Sequence, residues 1–391
     1  MYIERNIKKQ FEKIAGAYAL VAVVGARQAG KTTFLKEHAH SFKSSYLLFD
    51  DPDIRALFEE DIKKFEKQYL ESADIYIFDE VQYCKDAGRN LKYLADTGKK
   101  IWITSSSEMI LSKEVLSYLV GRVSILRLYP FSLREFLDAK GQKEFNQQIL
   151  QRMIWEHILY GGYPKVVLTE DIELKKTMLR DIYETMILKD IAQTFSIDDI
   201  KSLEEFTRHL ALNIGEVLSY ETLSKNLNLS FQTVKKYLDA MEKSYLVARI
   251  QPFYKNKLKE ITKRPKTYFI DTGLRNSIAK NSEKEPDGKL FENYVAAELI
   301  KAGFTLKYWR TKTKAEVDFI IEKEGEVIPI EVKLNASEKI EKSIHSFIDS
   351  YKPKKAFVVS YKIEQKTVKE NGCSIFFTDV FSLIKELQHT P

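Results

Sequence analysis

Residues 25–33 read Gly25-Ala26-Arg27-Gln28-Ala29-Gly30-Lys31-Thr32-Thr33, and they directly follow the apolar stretch Ala19 to Val24. The apolar stretch is typical of a buried strand, and the nine residues match the pattern GxxxxGK[ST] between a strand and a helix. The glycines allow backbone N–H groups to point at phosphate oxygens, and the following helix presents its positive end to them. The segment therefore predicts an α/β domain with a phosphate-binding loop, which we call the P-loop (Gly25 to Thr33).

Two side chains of the P-loop have expected roles with ATP. Lys31 is expected to contact the β- and γ-phosphates, and Thr32 is expected to bind Mg²⁺. A chance glycine-rich turn is the alternative, but the loop, the lysine, the hydroxyl and the preceding strand all agree with nucleotide binding. The predicted ATP-binding residues are Gly25, Ala26, Arg27, Gln28, Ala29, Gly30, Lys31, Thr32 and Thr33.

An acidic pair follows a second apolar stretch. The segment from Ile75 to Phe78 reads as a strand, and it ends at Asp79 and Glu80. Carboxylates in this position lie at the carboxyl end of a strand, where α/β proteins bind ligands. Asp79 is expected to hold Mg²⁺, and Glu80 is expected to orient or deprotonate the attacking water. This is a Walker B pattern, and together with the P-loop it predicts Mg²⁺-dependent ATP hydrolysis; a solvated strand end is the alternative.

Further candidate catalytic residues lie beside two later strands. The predicted strand Lys100 to Thr104 leads into Ser105 and Ser106, one of which is a candidate sensor of the γ-phosphate. A serine that caps the next helix is the alternative. Arg122 precedes the predicted strand Val123 to Leu128, and it could bring positive charge to the transferring phosphoryl group, within its own subunit or across an interface. A surface ion pair is the alternative for this arginine.

The composition is that of a folded protein with several domains. The chain has 391 residues, of which 44% are hydrophobic and 30% are charged, which suits two to four domains and excludes a disordered or fibrous protein. The longest uncharged stretch, Ile14 to Ala26, is too short to span a membrane. Cys84 and Cys373 have no metal-ligand spacing. We therefore expect a cytoplasmic protein with reduced thiols and no membrane contact, whose net charge of +6 permits an anionic partner.

Changes of pattern divide the chain into four predicted domains. Strands alternate with helical segments through residues 1–140, as in a doubly wound sheet. Residues 141–212 have the apolar spacing of a helical bundle, interrupted by a turn at Gly161 to Pro164. Residues 213–280 and 281–391 form the third and fourth predicted domains.

The third predicted domain has the pattern of a helix-turn-helix. Two short helices are expected between Ser219 and Met241, with Ser230 as the N-cap of the second. The segment from Leu246 to Ile270 resembles a β wing and is rich in basic residues. A basic wing beside a recognition helix suits phosphate contact, so DNA is the expected partner, although winged helices also dock proteins. The candidate DNA-binding residues are Gln232, Lys235 and Lys236 on the second helix, and Lys255, Lys257, Lys263 and Arg264 on the wing; Lys259 and Lys266 add to its positive charge.

The fourth predicted domain combines carboxylates with a lysine on neighbouring strands. Period-two alternation puts Glu316 and Asp318 on one face of one strand, and Glu331 and Lys333 on one face of the next. Asp318 and Glu331 could bind a divalent cation, with Glu292 of the preceding helix completing the ligand set. Lys333 could activate water or stabilise the phosphorane. The pattern predicts a phosphodiester-cleaving site; solvent-exposed charges on a mixed sheet are the alternative.

Taken together, these motifs resemble the prokaryotic AAA_14 ATPases that carry a C-terminal DUF4143 region. The resemblance implies an AAA-type ATPase core with a helical lid, a winged-helix domain, and a restriction-endonuclease-like α/β domain of the PD-(D/E)xK type. The sequence keeps Asp318, Glu331 and Lys333, as that site would need. The stretches that carry the resemblance are Gly25 to Thr33, Ile77 to Gln82, Gly121-Arg122, Gly161 to Pro164, Lys266 to Leu274, Glu316 to Phe319 and Ile330 to Lys333.

Three hypotheses for function follow from the sequence. The first is an ATP-driven, DNA-associated protein with a metal-dependent nuclease at its far end. The second is a regulatory nucleotide switch whose terminal domains bind a protein or nucleic acid without cutting it. The third, a small-molecule kinase, is disfavoured because Glu80 beside Asp79 suits water activation. A homo-oligomer is an expectation by analogy with AAA proteins.

Overall fold

The computed structural model describes residues 2–81, 84–106, 117–142, 144–254, 260, 263–280, 287–311, 315–335 and 341–389. Two of the candidate DNA-binding residues, Lys255 and Lys257, lie outside the described residues.

The N-terminal part is built around a parallel sheet with the P-loop at the carboxyl end of its fully buried strand β1. Among the described residues the sheet has five strands in the order β2-β3-β4-β1-β5, all paired in parallel. Because β4 lies between β1 and β3, the residues that follow β4 lie between the P-loop and the acidic pair. The strands are β1 (Leu20–Val24), β2 (Ser44–Leu48), β3 (Ile75–Asp79), β4 (Ile101–Ser105) and β5 (Val123–Arg127).

Helices cover both faces of this sheet, as its alternating pattern predicts. Phe11 and Phe34 pack edge to face at 5.0 Å on one face, and Phe49, Phe58 and Phe65 form a buried aromatic cluster on the other. The sheet is therefore buried between two layers, which accounts for the apolar composition of β1, β3 and β4. The helices are α1 (Lys8–Ala17), α2 (Lys31–Ala39), α3 (Pro52–Glu60), α4 (Ile62–Tyr69) and α5 (Ala87–Asp96).

A run of helices follows the sheet, and most of them begin at a side-chain cap. Asn146, Asp171 and Asp199 each accept a hydrogen bond from a backbone N–H in the first turn of their helix. A π-helical segment, Met186–Gln193, continues directly from the helix before it. The helices are α6 (Leu133–Ala139), α7 (Gln147–Tyr160), α8 (Pro164–Leu168), α9 (Ile172–Thr185) and α10 (Ile200–Leu212).

The predicted helix-turn-helix consists of α11 (Tyr220–Asn226) and α12 (Phe231–Lys243). Ser230 caps α12 by accepting from the N–H of Thr233 at 3.0 Å. The following strands β6 (Val247–Pro252) and β7 (Lys266–Phe269) pair in antiparallel fashion. β7 leads into α13 (Thr272–Ala279).

The C-terminal part is a second, mixed sheet that is continuous with β6 and β7. Its strand order is β12-β13-β11-β10-β9-β8-β6-β7 among the described residues, and β6 pairs with β8 in parallel. One sheet therefore extends across the predicted boundary at residue 280. The elements are α14 (Gly288–Lys301), β8 (Leu306–Arg310), β9 (Glu316–Lys323), β10 (Glu326–Asn335), α15 (Lys342–Tyr351), β11 (Lys355–Lys362), β12 (Lys366–Glu370), β13 (Cys373–Thr378) and α16 (Val380–His389).

Glycines at two distant motifs allow the helical run to pack against the start of α13. A Cβ atom on Gly161 would lie 2.0 Å from Oδ1 of Asp271, and one on Gly273 would lie 2.1 Å from the carbonyl carbon of Tyr160. The Asp271 carboxylate in turn accepts from the N–H of Gly162 at 2.7 Å. These glycines are therefore explained by close backbone approach. Within the described residues, no helix is long and apolar enough to cross a membrane.

Candidate nucleotide site and a second acidic site

The P-loop curls tightly around the side chain of its lysine. Lys31 Nζ donates to the main-chain oxygens of Gly25 and Ala26 at 2.9 and 3.0 Å. Burial lowers the pKa of Lys31. Gly25 has no room for a side chain, because a Cβ atom there would lie 2.0 Å from the oxygen of Leu128. Gly30 precedes α2 with a φ of 96°, a left-handed conformation that favours glycine.

The Asp79 carboxylate at the end of β3 accepts hydrogen bonds from three hydroxyl groups. Thr32 of the P-loop donates at 3.0 Å, and Tyr46 of β2 donates at 2.6 Å. Thr104 of β4 also donates to Asp79. Glu80 follows with a left-handed φ of 61°, a conformation that costs free energy in a residue with a side chain and that clusters at functional sites. The parallel strands thus bring the P-loop and the acidic pair together at one edge of the sheet.

The contact between Thr32 and Asp79 fits a magnesium ion. A hydroxyl and a carboxylate are oxygen donors of the kind that Mg²⁺ prefers in nucleotide sites. The donor set and its position beside Lys31 are therefore compatible with the ion that accompanies ATP.

The other candidate catalytic residues are Ser105 or Ser106 at the end of β4 and Arg122 before β5, and their contacts differ. The main-chain oxygen of Ser105 accepts from the N–H of Gly25 at 3.2 Å, which ties the end of β4 to the P-loop. The hydroxyl of Ser106 donates to Asp190 at 2.7 Å. Arg122 forms an exposed ion pair with Asp96 at 2.8 Å. This contact is a surface ion pair, which is the alternative to a catalytic role for this arginine.

Asp190, which sequence reasoning missed, joins the P-loop to the π-helical segment. Its carboxylate is buried and lies 3.5 Å from Nη1 of Arg27. Tyr46 and Thr104 were missed as well, because the sequence does not show which residue a hydroxyl group within a strand contacts. For Thr104 the only available signal was its place beside Ser105 at the end of a predicted strand.

The second acidic site lies on β9 and β10, where the alternation of charged residues predicted it. Asp318 Oδ2 accepts from the N–H of Val332 at 2.8 Å. Lys333 Nζ lies 2.8 Å from Oε1 of Glu331. A cavity of about 650 Å³ opens beside Asp318, Lys333 and Glu292. The site is therefore accessible from solvent on one side.

Burial and nearby like charges raise the pKa values of the two central carboxyl groups. Burial and the neighbouring Glu331 and Glu292 carboxylates hold the pKa of Asp318 well above its usual value. Burial raises the pKa of Glu331, although Lys333 opposes the shift. Glu331 Oε2 is buried, and it has no hydrogen-bond partner among the described residues. An unpartnered buried oxygen beside a second carboxylate is compatible with one divalent cation.

Glu292 does not fit the predicted ligand set, because protein donors already hold both of its oxygens. Tyr268 donates to Oε1 at 2.5 Å, and Lys266 Nζ lies 3.4 Å from the same atom. Lys289 Nζ lies 3.2 Å from Oε2. In the described part of the chain, no group of three or more His, Cys, Asp or Glu side chains could hold a metal ion. The residues that fit a cation are thus Asp318 and Glu331.

Lys266 is buried, although its place in the predicted basic wing suggests an exposed side chain. It is 1% exposed, and its Nζ lies 2.5 Å from Oε1 of Glu316. Gln232 and Lys235 are exposed on α12, and so are Lys263 and Arg264 before β7. Arg264 pairs with Glu221 of α11 at 3.0 Å, and Lys236 donates to the main-chain oxygen of Ser196 at 2.7 Å.

The parallel sheet, the P-loop and the acidic pair define a P-loop ATPase domain of the AAA type. Residues 17–137 match the family model AAA_14, described as an AAA domain. Residues 151–285 match DUF8612 and residues 287–378 match DUF4143, both described as domains of unknown function. The chain thus has the architecture of the AAA_14 proteins that carry a C-terminal DUF4143 region.

Two relatives match this chain over most of their length. An uncharacterized protein of Haemophilus influenzae is 26% identical over 367 residues, which are 86% of this chain and 88% of the relative. The uncharacterized protein MJ1544 of Methanocaldococcus jannaschii is 28% identical over 363 residues, which are 87% of this chain and 80% of the relative.

Solved structures show a looser similarity. The Walker-type ATPase PABY2304 of Pyrococcus abyssi is 13% identical with a TM-score of 0.48, and the match covers 71% of this chain and 96% of that one. The ORC2 protein of Aeropyrum pernix is 14% identical with a TM-score of 0.43, and the match covers 77% and 97% of the two chains.

Proposed function

We propose that the protein binds ATP with Mg²⁺ and hydrolyses it at the P-loop. The observation that carries this proposal is the contact of Thr32 with Asp79, beside the buried ammonium of Lys31. A bound Mg²⁺ would neutralise part of the charge on the β- and γ-phosphates. Thr32 and Asp79 would hold the ion, while Lys31 would leave the loop carbonyls for phosphate oxygens.

The remaining residues of the site support hydrolysis rather than simple binding. Glu80 is positioned one residue beyond Asp79 and is only partly buried, so it can accept a proton from water or orient it. The three hydroxyl donors hold the Asp79 carboxylate in one orientation, as preorganised catalysis requires. We therefore assign Glu80 as the base and Asp79 as the metal-binding residue.

ATP turnover by the purified full chain tests this proposal. Lys31→Ala and Glu80→Gln should each abolish Mg²⁺-dependent phosphate release, and the Glu80→Gln protein should still bind ATP. Lys92→Ala and Glu71→Gln, which change exposed residues of the same domain, are the matched controls and should keep full turnover. Wild-type protein that binds ATP without turning it over would favour a nucleotide switch.

We propose further that α12 and the following wing bind DNA. Support comes from the exposed side chains of Gln232 and Lys235 on α12, and from exposed Lys263 near the wing strand β7. Lysine contacts to phosphate make binding weaken as salt is raised. Lys235→Ala should reduce affinity for duplex DNA and flatten its salt dependence, whereas Lys243→Ala, at the far end of the same helix, should change neither.

The second acidic site supports metal-dependent cleavage of a phosphodiester as a second activity. Asp318 and Glu331 would hold the cation, and Lys333, 2.8 Å from Glu331, would stabilise the charge that develops on the phosphate. Incubation of labelled duplex and single-stranded DNA with Mg²⁺ tests this activity. Cleavage should be lost in Glu331→Ala and kept in Glu326→Ala, which changes a partly exposed residue at the start of the same strand.

A non-cleaving nucleotide switch is the second candidate, and the ion pairs at Glu292 favour it. Lys266 and Lys289 occupy the oxygens of Glu292, which leaves fewer carboxylate oxygens for metal ions. Absence of any product strand from the wild-type protein, with ATP and DNA binding intact, would make this candidate the better description.

A further inference from the structure

Asp190 is a buried carboxylate that the proposed hydrolysis mechanism does not use. It lies in the π-helical segment Met186–Gln193 and is 2% exposed. Its Oδ1 atom accepts from Ser106 at 2.7 Å and lies 3.5 Å from Nη1 of Arg27. Its Oδ2 atom is buried and has no hydrogen-bond partner within the described part of the chain. One carboxylate thus contacts both the P-loop and the residue that follows β4.

The backbone of the same residue contacts the predicted DNA-binding module. The main-chain oxygen of Asp190 accepts from the hydroxyl of Ser244 at 3.1 Å. Ser244 is 1% exposed, and it is the C-terminal cap of α12, three residues before β6 begins. Asp190 therefore connects the nucleotide site to the end of the predicted recognition helix.

The charge of Asp190 depends on a cation that phosphate can also attract. Burial raises the pKa of Asp190, and the hydrogen bond from Ser106 and the charges of Arg27 and Lys31 oppose the shift. Arg27 belongs to the P-loop, and its side chain is 28% exposed, so it can turn towards a phosphate oxygen. A guanidinium binds phosphate and carboxylate with the same donor geometry, and therefore the two anions compete for it. A buried carboxylate that loses its cation is strongly destabilised.

The π-helical segment that contains Asp190 is an element that can rearrange when phosphate competes for Arg27. A π-helix has one more residue per hydrogen-bonded ring than an α-helix, and short π segments occur often at functional sites. Return to an α-helical hydrogen-bond pattern would shift and rotate the residues that follow. The segment continues directly from α9, so such a change would move Asp190 relative to Ser106.

We propose that Asp190 is a positioning residue that reports the γ-phosphate to the DNA-binding module. Arg27 leaves Asp190 for the terminal phosphate of ATP, the segment 186–193 rearranges, and the contact with Ser244 carries the change to the end of α12 and the start of β6. ADP lacks that phosphate and leaves the pair of Arg27 and Asp190 in place. This inference rests on the proposed binding of ATP at the P-loop.

Hydrogen exchange of the full chain with Mg²⁺ and a non-hydrolysable ATP analogue, compared with ADP, tests the proposal. In the wild type, the analogue and not ADP should change exchange in residues 186–193 and 241–252. Asp190→Asn, an isosteric change that removes the charge, should bind the analogue and lose the response in 241–252. Asp181→Asn, on the exposed face of α9, is the matched control and should respond as the wild type does.

Ser244→Ala separates the two steps and keeps the test available if Asp190→Asn folds poorly. It should keep the response in 186–193 and lose the one in 241–252. Asp190→Asn should also change the ratio of analogue affinity to ADP affinity by about tenfold, the factor expected for one charge-assisted hydrogen bond. A wild type that binds and hydrolyses ATP without a response in 241–252, or variants that respond unchanged, would refute the role of Asp190. A wild type that binds no nucleotide would instead refute the proposed function.

Discussion

The two acidic sites hold their central aspartates by opposite means. Asp79 is surrounded by neutral hydroxyl donors from Thr32, Tyr46 and Thr104. Asp318 has the carboxylates of Glu331 and Glu292 as its neighbours, and burial together with these neighbours raises its pKa. The first site therefore orients a carboxylate without adding charge, whereas the second concentrates negative charge on two adjacent strands.

The difference shows which kind of partner each site needs. Hydroxyl donors hold the carboxylate of Asp79 in a fixed position for a nucleotide-bound ion. Clustered carboxylates are costly to bury, and such clusters occur where a cation or a proton is bound in function. At the second site part of this cation requirement is met by Lys266, which is itself buried against Glu316 and Glu292.

Among the changes that compare the two acidic sites, Asp79→Asn should have the largest effect on function. Loss of the charge should lower ATP turnover by about 10³-fold, or roughly 4 kcal/mol in the barrier, the scale seen for removal of a preorganised catalytic contact. Steady-state phosphate release measures this loss. Asp74→Asn, one residue before β3 and exposed, should turn over ATP normally. Full activity of Asp79→Asn would show that this carboxylate is not the metal-binding residue.

Lys266→Gln tests whether the second site depends on an internal cation. Glu292 and Glu316 would keep only their more exposed partners Lys289 and Arg310 and lose their buried cation, so the free energy of unfolding should fall by about 3 kcal/mol. Urea denaturation measures the change, with the exposed neighbour Lys263→Gln as the control. Unchanged stability of Lys266→Gln would mean that the carboxylates need no cation from β7.

The sequence predicts the first site well because its residues lie in short local motifs. The P-loop and the pair Asp79 and Glu80 each follow an apolar strand, and parallel strands bring their carboxyl ends to one edge of a sheet. Asp190 could not be found in this way, since 163 residues separate it from Arg27. Its partner is determined by how the helical run packs on the sheet.

The second site shows which contacts the alternation of residues along a strand predicts and which contacts it does not predict. Period two correctly groups Glu331 with Lys333, which are 2.8 Å apart. Alternation within one strand does not indicate which strand lies beside it, and the pairing of β6 with β8 is a contact between distant segments. Lys266 therefore reads as part of a basic wing, although the fold buries it among carboxylates.

Tyr46→Phe tests how much one hydroxyl donor contributes to the first site, because it removes the hydroxyl group and keeps the ring. Loss of a hydrogen bond to a charged group should lower turnover by about tenfold. Tyr93→Phe is the control, since Tyr93 donates to Glu66 of the same domain at 2.9 Å. Burial and the hydrogen bond to Asp79 raise the pKa of Tyr46, so the donor stays protonated through the ordinary tyrosine range. A loss of activity near pH 10 that Tyr46→Phe abolishes would contradict this assignment.

Asp318→Asn should give the smallest effect, and one of opposite sign. The asparagine can still accept from Val332 and removes the repulsion from Glu331, so the free energy of unfolding in chelator should rise by about 1 kcal/mol. Thermal or urea denaturation measures the gain, and Asp349→Asn on the exposed face of α15 should show none.

The pH dependence of this gain follows from the direction of the pKa shift. A carboxyl group whose folded pKa is raised destabilises the fold only when the unfolded state has lost its proton, that is, above the ordinary pKa of aspartate. The advantage of Asp318→Asn should therefore be absent in strong acid, grow as the pH rises through that value, and become constant above the raised pKa. Added Mg²⁺ should stabilise the wild type and reduce the difference, because a cation offsets the same repulsion. If Asp318→Asn is less stable than the wild type at neutral pH in chelator, the second site is organised like the first one, and the contrast between them fails.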